Sequence, residues 1–195
     1  MTSIYDIFMF PLERMGIRKA RKKIIHLALG NVLEIGAGSG VNLKYYDYTK
    51  IEKMTFIDSS FFEVIHKKIK KAQCTIPCET IEMDIEDLKF PDKSFDTVVF
   101  SLVFCSVTDV SKGLSEVKRV LKDDGQVLFI EHVLPHKKGF RKLVSKVAPL
   151  WFKMSKSCHL DRDFETSILN AGFQVGEFYR YGNTIFTSGI AKKPF

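Results

Sequence analysis

The sequence predicts an α/β chain built on a doubly wound, seven-stranded, mostly parallel sheet that ends in an antiparallel hairpin. Three observations carry this expectation. Short apolar runs alternate with helical patterns from about residue 30 onward, a glycine-rich turn follows the first run, and two β-rich stretches near the C-terminus are joined by a short connection.

Asn31-Val-Leu-Glu-Ile35 is the first run and leads straight into glycines. Met54-Thr-Phe-Ile-Asp58 reads as a second strand, and Glu79-Thr-Ile-Glu-Met83 as a third with strict alternation. Phe95 to Val103 is apolar on both faces, as a central parallel strand must be, and Gln126-Val-Leu-Phe-Ile130 is the fifth. Helical patterns lie between them at Val41–Tyr46, Phe61–Lys71 and Val110–Leu121, the last with Leu114, Val117, Val120 and Leu121 on one face. Asp123-Asp124-Gly125 reads as the turn that stops this helix. A further helix, about Asp163 to Asn170, ends at Ala171-Gly172. Phe173–Tyr179 and Thr184–Ala191 then pair as a hairpin.

The chain has 195 residues, 45% hydrophobic and 27% charged, the size and composition of one globular domain. No internal repeat or linker breaks it, so residues 1–195 are expected to form a single domain. The longest uncharged apolar run, Thr97 to Thr108, falls short of the roughly 20 residues a membrane span needs. The N-terminus lacks the basic and cleavage features of a signal peptide, and a cytoplasmic location is expected. Cys74 and Cys78 stand four apart with no second ligand pair nearby, so no metal site is expected.

Net charge is +7 and unevenly spread: residues 136–157 carry seven basic side chains and no acid. Phe140, Leu143, Val144, Val147, Leu150, Trp151, Phe152 and Met154 interleave with them. Residues 136–160 therefore read as a basic amphipathic insertion. It serves either as a lid on the site or as a peripheral membrane contact through 136–157, and the two roles are compatible. Residues 1–30 form an amphipathic lead-in, interrupted at Pro11, with Ile24, Leu27 and Ala28 on one inward face; it is expected to cover the site.

The chemistry is concentrated in Val32-Leu-Glu-Ile-Gly-Ala-Gly-Ser-Gly-Val-Asn-Leu43. Glycine belongs where a chain turns sharply and where a ligand must approach backbone closely. A helix start beyond it offers N–H groups to polar parts of a ligand. The dinucleotide fingerprint G-x-G-x-x-G would need glycine at 41, where Val41 stands. The spacing G-x-G-x-G preceded by Glu34 instead resembles the first motif of class I S-adenosylmethionine-dependent methyltransferases, whose fold is Rossmann-like. Asp58, at the second strand end, stands where an acid accepts hydrogen bonds from ribose hydroxyls. Met83-Asp84-Ile85-Glu86 resembles the family's adenine-binding segment, and Phe90-Pro-Asp-Lys-Ser-Phe-Asp-Thr-Val-Val99 its lead into the fourth strand.

The resemblance implies an S-adenosyl-L-methionine cofactor, with S-adenosyl-L-homocysteine as product, held by Glu34, Gly36, Ala37, Gly38, Gly40, Asn42, Asp58, Ser59, Asp84, Ile85 and Ser101. Ser101-Leu-Val-Phe-Cys-Ser-Val107 lacks the Asn/Asp-Pro-Pro-aromatic motif of nucleic-acid and glutamine methyltransferases, which argues against a nucleic-acid substrate. Leu102–Val107, Phe129-Ile-Glu-His-Val133, Cys158-His-Leu-Asp-Arg162 and Ala171-Gly-Phe173 resemble the group related to ubiquinone/menaquinone, phospholipid and thiol methyltransferases. A small-molecule or lipid-like acceptor follows from that resemblance. His132 and His159 are candidate bases, and Tyr5 could close over the sulfonium with its ring face. A non-catalytic cofactor-binding protein and a nicotinamide-dependent enzyme are the alternatives.

Overall fold

The computed structural model describes residues 16–59, 63–71, 76–135, 138–155, 158–182 and 184–194. In chain order these form α1 (Arg18–Ile24), β1 (Gly30–Ile35), β2 (Ile51–Asp58), α2 (Glu63–Lys71), β3 (Cys78–Glu82), β4 (Phe95–Ser101) and α3 (Val110–Val120). They continue with β5 (Leu121–His132), α4 (Lys138–Ser155), α5 (Phe164–Asn170), β6 (Gln174–Tyr181) and β7 (Phe186–Lys192). The seven strands make one sheet in the order β3-β2-β1-β4-β5-β7-β6. β1 to β5 are parallel; β7 inserts antiparallel between β5 and the edge strand β6.

Alternation along the central strands decides the layers. Val98 and Phe100 of β4, with Val127 and Phe129 of β5, face one core, which is closed by Leu114, Val117 and Val120 of α3 and by Phe164 and Ile168 of α5. Val99, Leu128 and Ile130 face the other, closed by Ala20 and Ile24 of α1 and Ile65 of α2. Strands buried on both faces read as continuous apolar runs, which is why they stood out in the sequence. Asp163 caps α5 by accepting from the Thr166 N–H at 3.1 Å. The strand order reverses at β1 and β4, and in open α/β sheets the crevice beyond that reversal is where ligands bind.

Two local expectations are corrected. Residues 41–46 do not form a helix; only a single tight turn at Leu43–Tyr45 remains. The segment's side chains are drawn inward, with Asn42 and Tyr46 both donating to Glu34, and Asp47 caps a second tight turn at Tyr48–Lys50. Asp123-Asp124-Gly125 does not separate α3 from the next strand. It lies within β5, whose pairing jumps from Phe95↔Leu121 to Thr97↔Gln126, a bulge in the β5 strand. Gly125 fits there because a Cβ would stand 2.8 Å from a Leu121 methyl and 3.0 Å from the Asp96 carbonyl.

The basic segment is a helix over Lys138–Ser155 with Pro149 inside it. Among the described residues no helix is long and apolar enough to cross a membrane. Residues 1–15, which include Tyr5, lie outside the described residues, as do Cys74, His136, Lys137, Lys156 and Ser157.

Candidate active site

The turn after β1 is tied to β2 by its own backbone. The Gly36 and Ala37 N–H groups both donate to the Ile57 carbonyl, at 2.8 and 3.2 Å. Gly36 is left-handed (φ +67), and a Cβ there would stand 2.3 Å from a Val103 methyl in the loop after β4. Gly38 is also left-handed (φ +49), but its surroundings are open. The nearest atom to a Cβ would be an Asp58 carboxylate oxygen at 4.0 Å. That oxygen accepts the Gly38 N–H at 2.8 Å, so the acid at the end of β2 is held against the glycine turn. A side-chain-free backbone beside a half-buried carboxylate forms an open cradle at the crevice where open α/β sheets bind ligands. Ser59 follows Asp58 and is exposed. With the predicted helix absent, the cradle is built from loop backbone rather than a helix N-terminus.

Glu34, Asn42 and Ser101 meet beneath this turn. Asn42 donates to Glu34 at 2.9 Å and to the Ser101 hydroxyl at 3.2 Å, and the Tyr46 hydroxyl donates to Glu34 at 2.7 Å. The Arg21 guanidinium, buried although it belongs to the basic lead-in, donates to the Asn42 side-chain amide oxygen Oδ1. Burial pushes the Glu34 carboxyl up to about 7, against the lowering effect of Tyr46, Asn42 and the Arg21 charge. The geometry makes Glu34 and Asn42 the scaffold of the glycine turn.

At the end of β3 the Asp84 side chain is exposed and accepts the Glu86 N–H at 2.9 Å. The Ile85 side chain packs into the core beside Phe104 and Gly113. Glu86 accepts the N–H groups of Thr108 and Asp109, both at 2.9 Å, joining this loop to the one after β4.

That loop is shaped by Glu131, to which sequence reading assigned no role. Leu102 is left-handed (φ +58), a conformation costing roughly 1–2 kcal/mol for a residue with a Cβ. Its strain is offset just beyond, where one Glu131 oxygen accepts the N–H of Val103 at 2.9 Å and of Phe104 at 3.2 Å. Glu131 is fully buried, and desolvation pushes its carboxyl up to about 8. It therefore keeps its proton at pH values where the unfolded chain, near 4.5, has lost it. Its contribution to stability is greatest below about pH 4.5 and falls as pH rises to about 8. The midpoint of urea unfolding should drop across that window, and Glu131→Gln should flatten the drop. An unchanged slope in the variant would contradict this role.

The candidate bases differ in environment. His132, at the end of β5, packs edge-on to Phe186 with centroids 5.9 Å apart. Burial drives its imidazole down to about 4, so it is neutral and only weakly basic at pH 7. His159 lies in a strap, residues 158–162, that crosses the ends of β4 and β5. Its ring lies 4.5 Å from Phe152 of α4, and its Nδ1 is 4.0 Å from Asp161. The Asp161 charge also acts on His132, so both histidines belong to the same end of the sheet. Among the described residues no group of three His, Cys, Asp or Glu could hold a metal ion.

A parallel sheet with a glycine turn at its reversal point and an acid closing the next strand defines an α/β domain for a nucleotide-like cofactor. Residues 33–129 match a family model described as a methyltransferase domain. The chain is 34% identical over 146 residues to thiol S-methyltransferase TMT1B of Rattus norvegicus, covering 73% of this chain and 59% of that protein. It is 30% identical over 132 residues to phosphatidylethanolamine N-methyltransferase of Cereibacter sphaeroides, covering 67% of this chain and 64% of that one. It thus spans less than two thirds of either relative's length. A solved S-adenosylmethionine-dependent methyltransferase from Mesorhizobium loti has the same fold, with a TM-score of 0.69 at 14% identity, covering 92% and 98% of the two chains. The chain belongs to the class I S-adenosylmethionine-dependent methyltransferases.

Proposed function

We propose that this protein transfers the methyl group of S-adenosylmethionine to a small-molecule or lipid-like acceptor. The observation that carries this reading is the open cradle over Gly38, with Asp58 hydrogen-bonded to its rim. The bound cofactor supplies an activated methyl on a sulfonium centre; the chain's own residues supply alignment and exclusion of water. Asp58 would accept from the ribose hydroxyls, while Glu34, Asn42 and Tyr46 hold the turn in shape from below.

Proton handling narrows the acceptor. His132 is a weak base, and Glu131 is largely protonated at pH 7. The site therefore suits a nucleophile that ionises without strong help, such as a thiol with a pKa near roughly 8.5. The names of the relatives support thiol and phospholipid acceptors. Release of S-adenosylhomocysteine should rise when apolar thiols are added, and a panel of quinone precursors and phosphatidylethanolamine ranks the alternatives. No stimulation by any acceptor, in a protein that binds the cofactor, would favour the non-catalytic reading.

A lipid-side approach is favoured by α4. Arg141, Lys142, Lys146 and Lys153 are exposed on it, flanked by Val147, Leu150 and Phe152, which expose 44%, 63% and 42% of their surface. At helical spacing the three lysines share one stripe opposite the buried Ala148, with Leu150 beside them. The protein should sediment with vesicles rich in phosphatidylserine and not with phosphatidylcholine alone. The triple change Lys142→Glu, Lys146→Glu, Lys153→Glu should release it. Equal binding to both vesicles, or to neither, would assign α4 to the lid role alone.

A further inference from the structure

Two thiols that methyl transfer does not require are brought together at the rim of the same crevice. Cys105 lies in the loop after β4 and Cys158 opens the strap that follows α4, 53 positions later. The strap is fastened on both sides of Cys105: the His159 N–H donates to the Cys105 carbonyl at 2.8 Å, and the Arg162 guanidinium donates to the Phe104 carbonyl. A third bond, Leu134 N–H to the Arg162 carbonyl at 3.2 Å, fixes the far end of the strap. An N–H···O=C bond between the residue after one cysteine and the carbonyl of the other holds their two backbones side by side, as a disulfide requires. The two side chains face each other within this frame, near enough that each thiol shifts the ionisation of the other. Cys105 is buried and Cys158 is half-buried, so Cys158 is the more accessible of the two.

We propose that Cys158 and Cys105 are a redox-active dithiol, a modification site that closes to a disulfide on reaction with small-molecule disulfides. The Cys158 thiolate attacks one sulfur of the reagent, the reagent's S–S bond breaks, and one thiolate leaves with an electron pair. The Cys105 thiol then loses its proton and attacks the Cys158 sulfur of the mixed disulfide, expelling the second thiolate. Both leaving groups take up protons, so the two cysteines are oxidised by two electrons and the reagent is reduced to two thiols.

The surroundings set the order of events. The Cys105 thiol, the Trp151 indole and the Arg162 charge hold Cys158 down to about 6, whereas hydrogen bonding to Cys158 and burial hold Cys105 well above its ordinary value. An ionised outer thiol and a protonated inner one are the attacking and resolving members of such a pair. The bond would pin the strap, with His159 and Asp161, to the β4 loop and so fix the acceptor side of the crevice.

The test does not depend on the acceptor or on catalysis. The reduced full-length protein is incubated natively with oxidised glutathione, alkylated and mapped by mass spectrometry. The expected product is a Cys105–Cys158 linked peptide, reversed by dithiothreitol, with Cys78 alkylated. Cys105→Ser should stop at a glutathione adduct on Cys158, and Cys158→Ser should leave Cys105 alkylated and unlinked. Iodoacetamide should label Cys158 at least tenfold faster than Cys78 at pH 7. Absence of the linked peptide from the folded wild type, or adduct formation on Cys78 in preference to Cys158, would overturn the proposal.

Discussion

Gly38→Ala is expected to weaken S-adenosylmethionine binding by at least tenfold while lowering the melting temperature by only a few degrees. The two effects separate because of what surrounds the residue. A Cβ at position 38 meets no protein atom closer than 4.0 Å, so the fold bears only the left-handed backbone penalty of roughly 1–2 kcal/mol. For a chain of this length that is a shift of roughly 2–8 °C. The added methyl occupies the open space beside Asp58, where the proposed site has the cofactor approach backbone. Gly36→Ala is the contrast. It carries the same backbone penalty, but its Cβ would stand 2.3 Å from a Val103 methyl, so it should lose stability as well as binding. Calorimetric titration and thermal melts of both variants distinguish the cases. Wild-type affinity in Gly38→Ala would place the cofactor elsewhere.

Glu34→Ala should produce the largest loss of stability. Glu34 is buried and accepts from Asn42 and Tyr46, while Arg21 reaches the same cluster through Asn42. Truncation leaves the Tyr46 hydroxyl and one Asn42 donor unpaired and removes the carboxyl beside a buried guanidinium. Leaving two buried donors unsatisfied at about 1–3 kcal/mol each costs about 2–6 kcal/mol. At about 2–4 °C per kcal/mol, the melting temperature should fall by roughly 4–24 °C. Glu34→Gln keeps an acceptor of the same shape and should lose less than half as much. Urea unfolding at pH 6 measures both; a loss below about 1 kcal/mol for the alanine variant would contradict the scaffold role.

What the sequence disclosed follows the range of the interactions involved. The central strands β1, β2, β4 and β5 are legible because burial on both sheet faces writes apolar runs into the chain. By contrast, β3 shows as alternation and the hairpin by its short connection. The Gly36–Gly40 turn was legible because the φ values of its glycines are a local demand. Helix 41–46 failed because its residues are spent on Glu34, a contact that local periodicity does not encode. Asp123-Asp124-Gly125 carries every mark of a turn, and only the Phe95–Leu121 pairing reveals a bulge. Arg21 looked like one of many solvated cations, and its burial against Asn42 depends on the packing of α1. Glu131 sat unnoticed beside His132 because its role, holding the Val103 and Phe104 amides, joins residues 27 and 28 positions apart.

The central claim is that the Gly36–Gly40 turn and Asp58 form an S-adenosylmethionine site. Isothermal titration of the purified protein with S-adenosylmethionine, S-adenosylhomocysteine and NAD tests it most directly. The expected result is micromolar binding of the first two, a response lowered by Asp58→Ala, and no heat with NAD. Absence of binding by a folded protein, or binding of NAD alone, would contradict it.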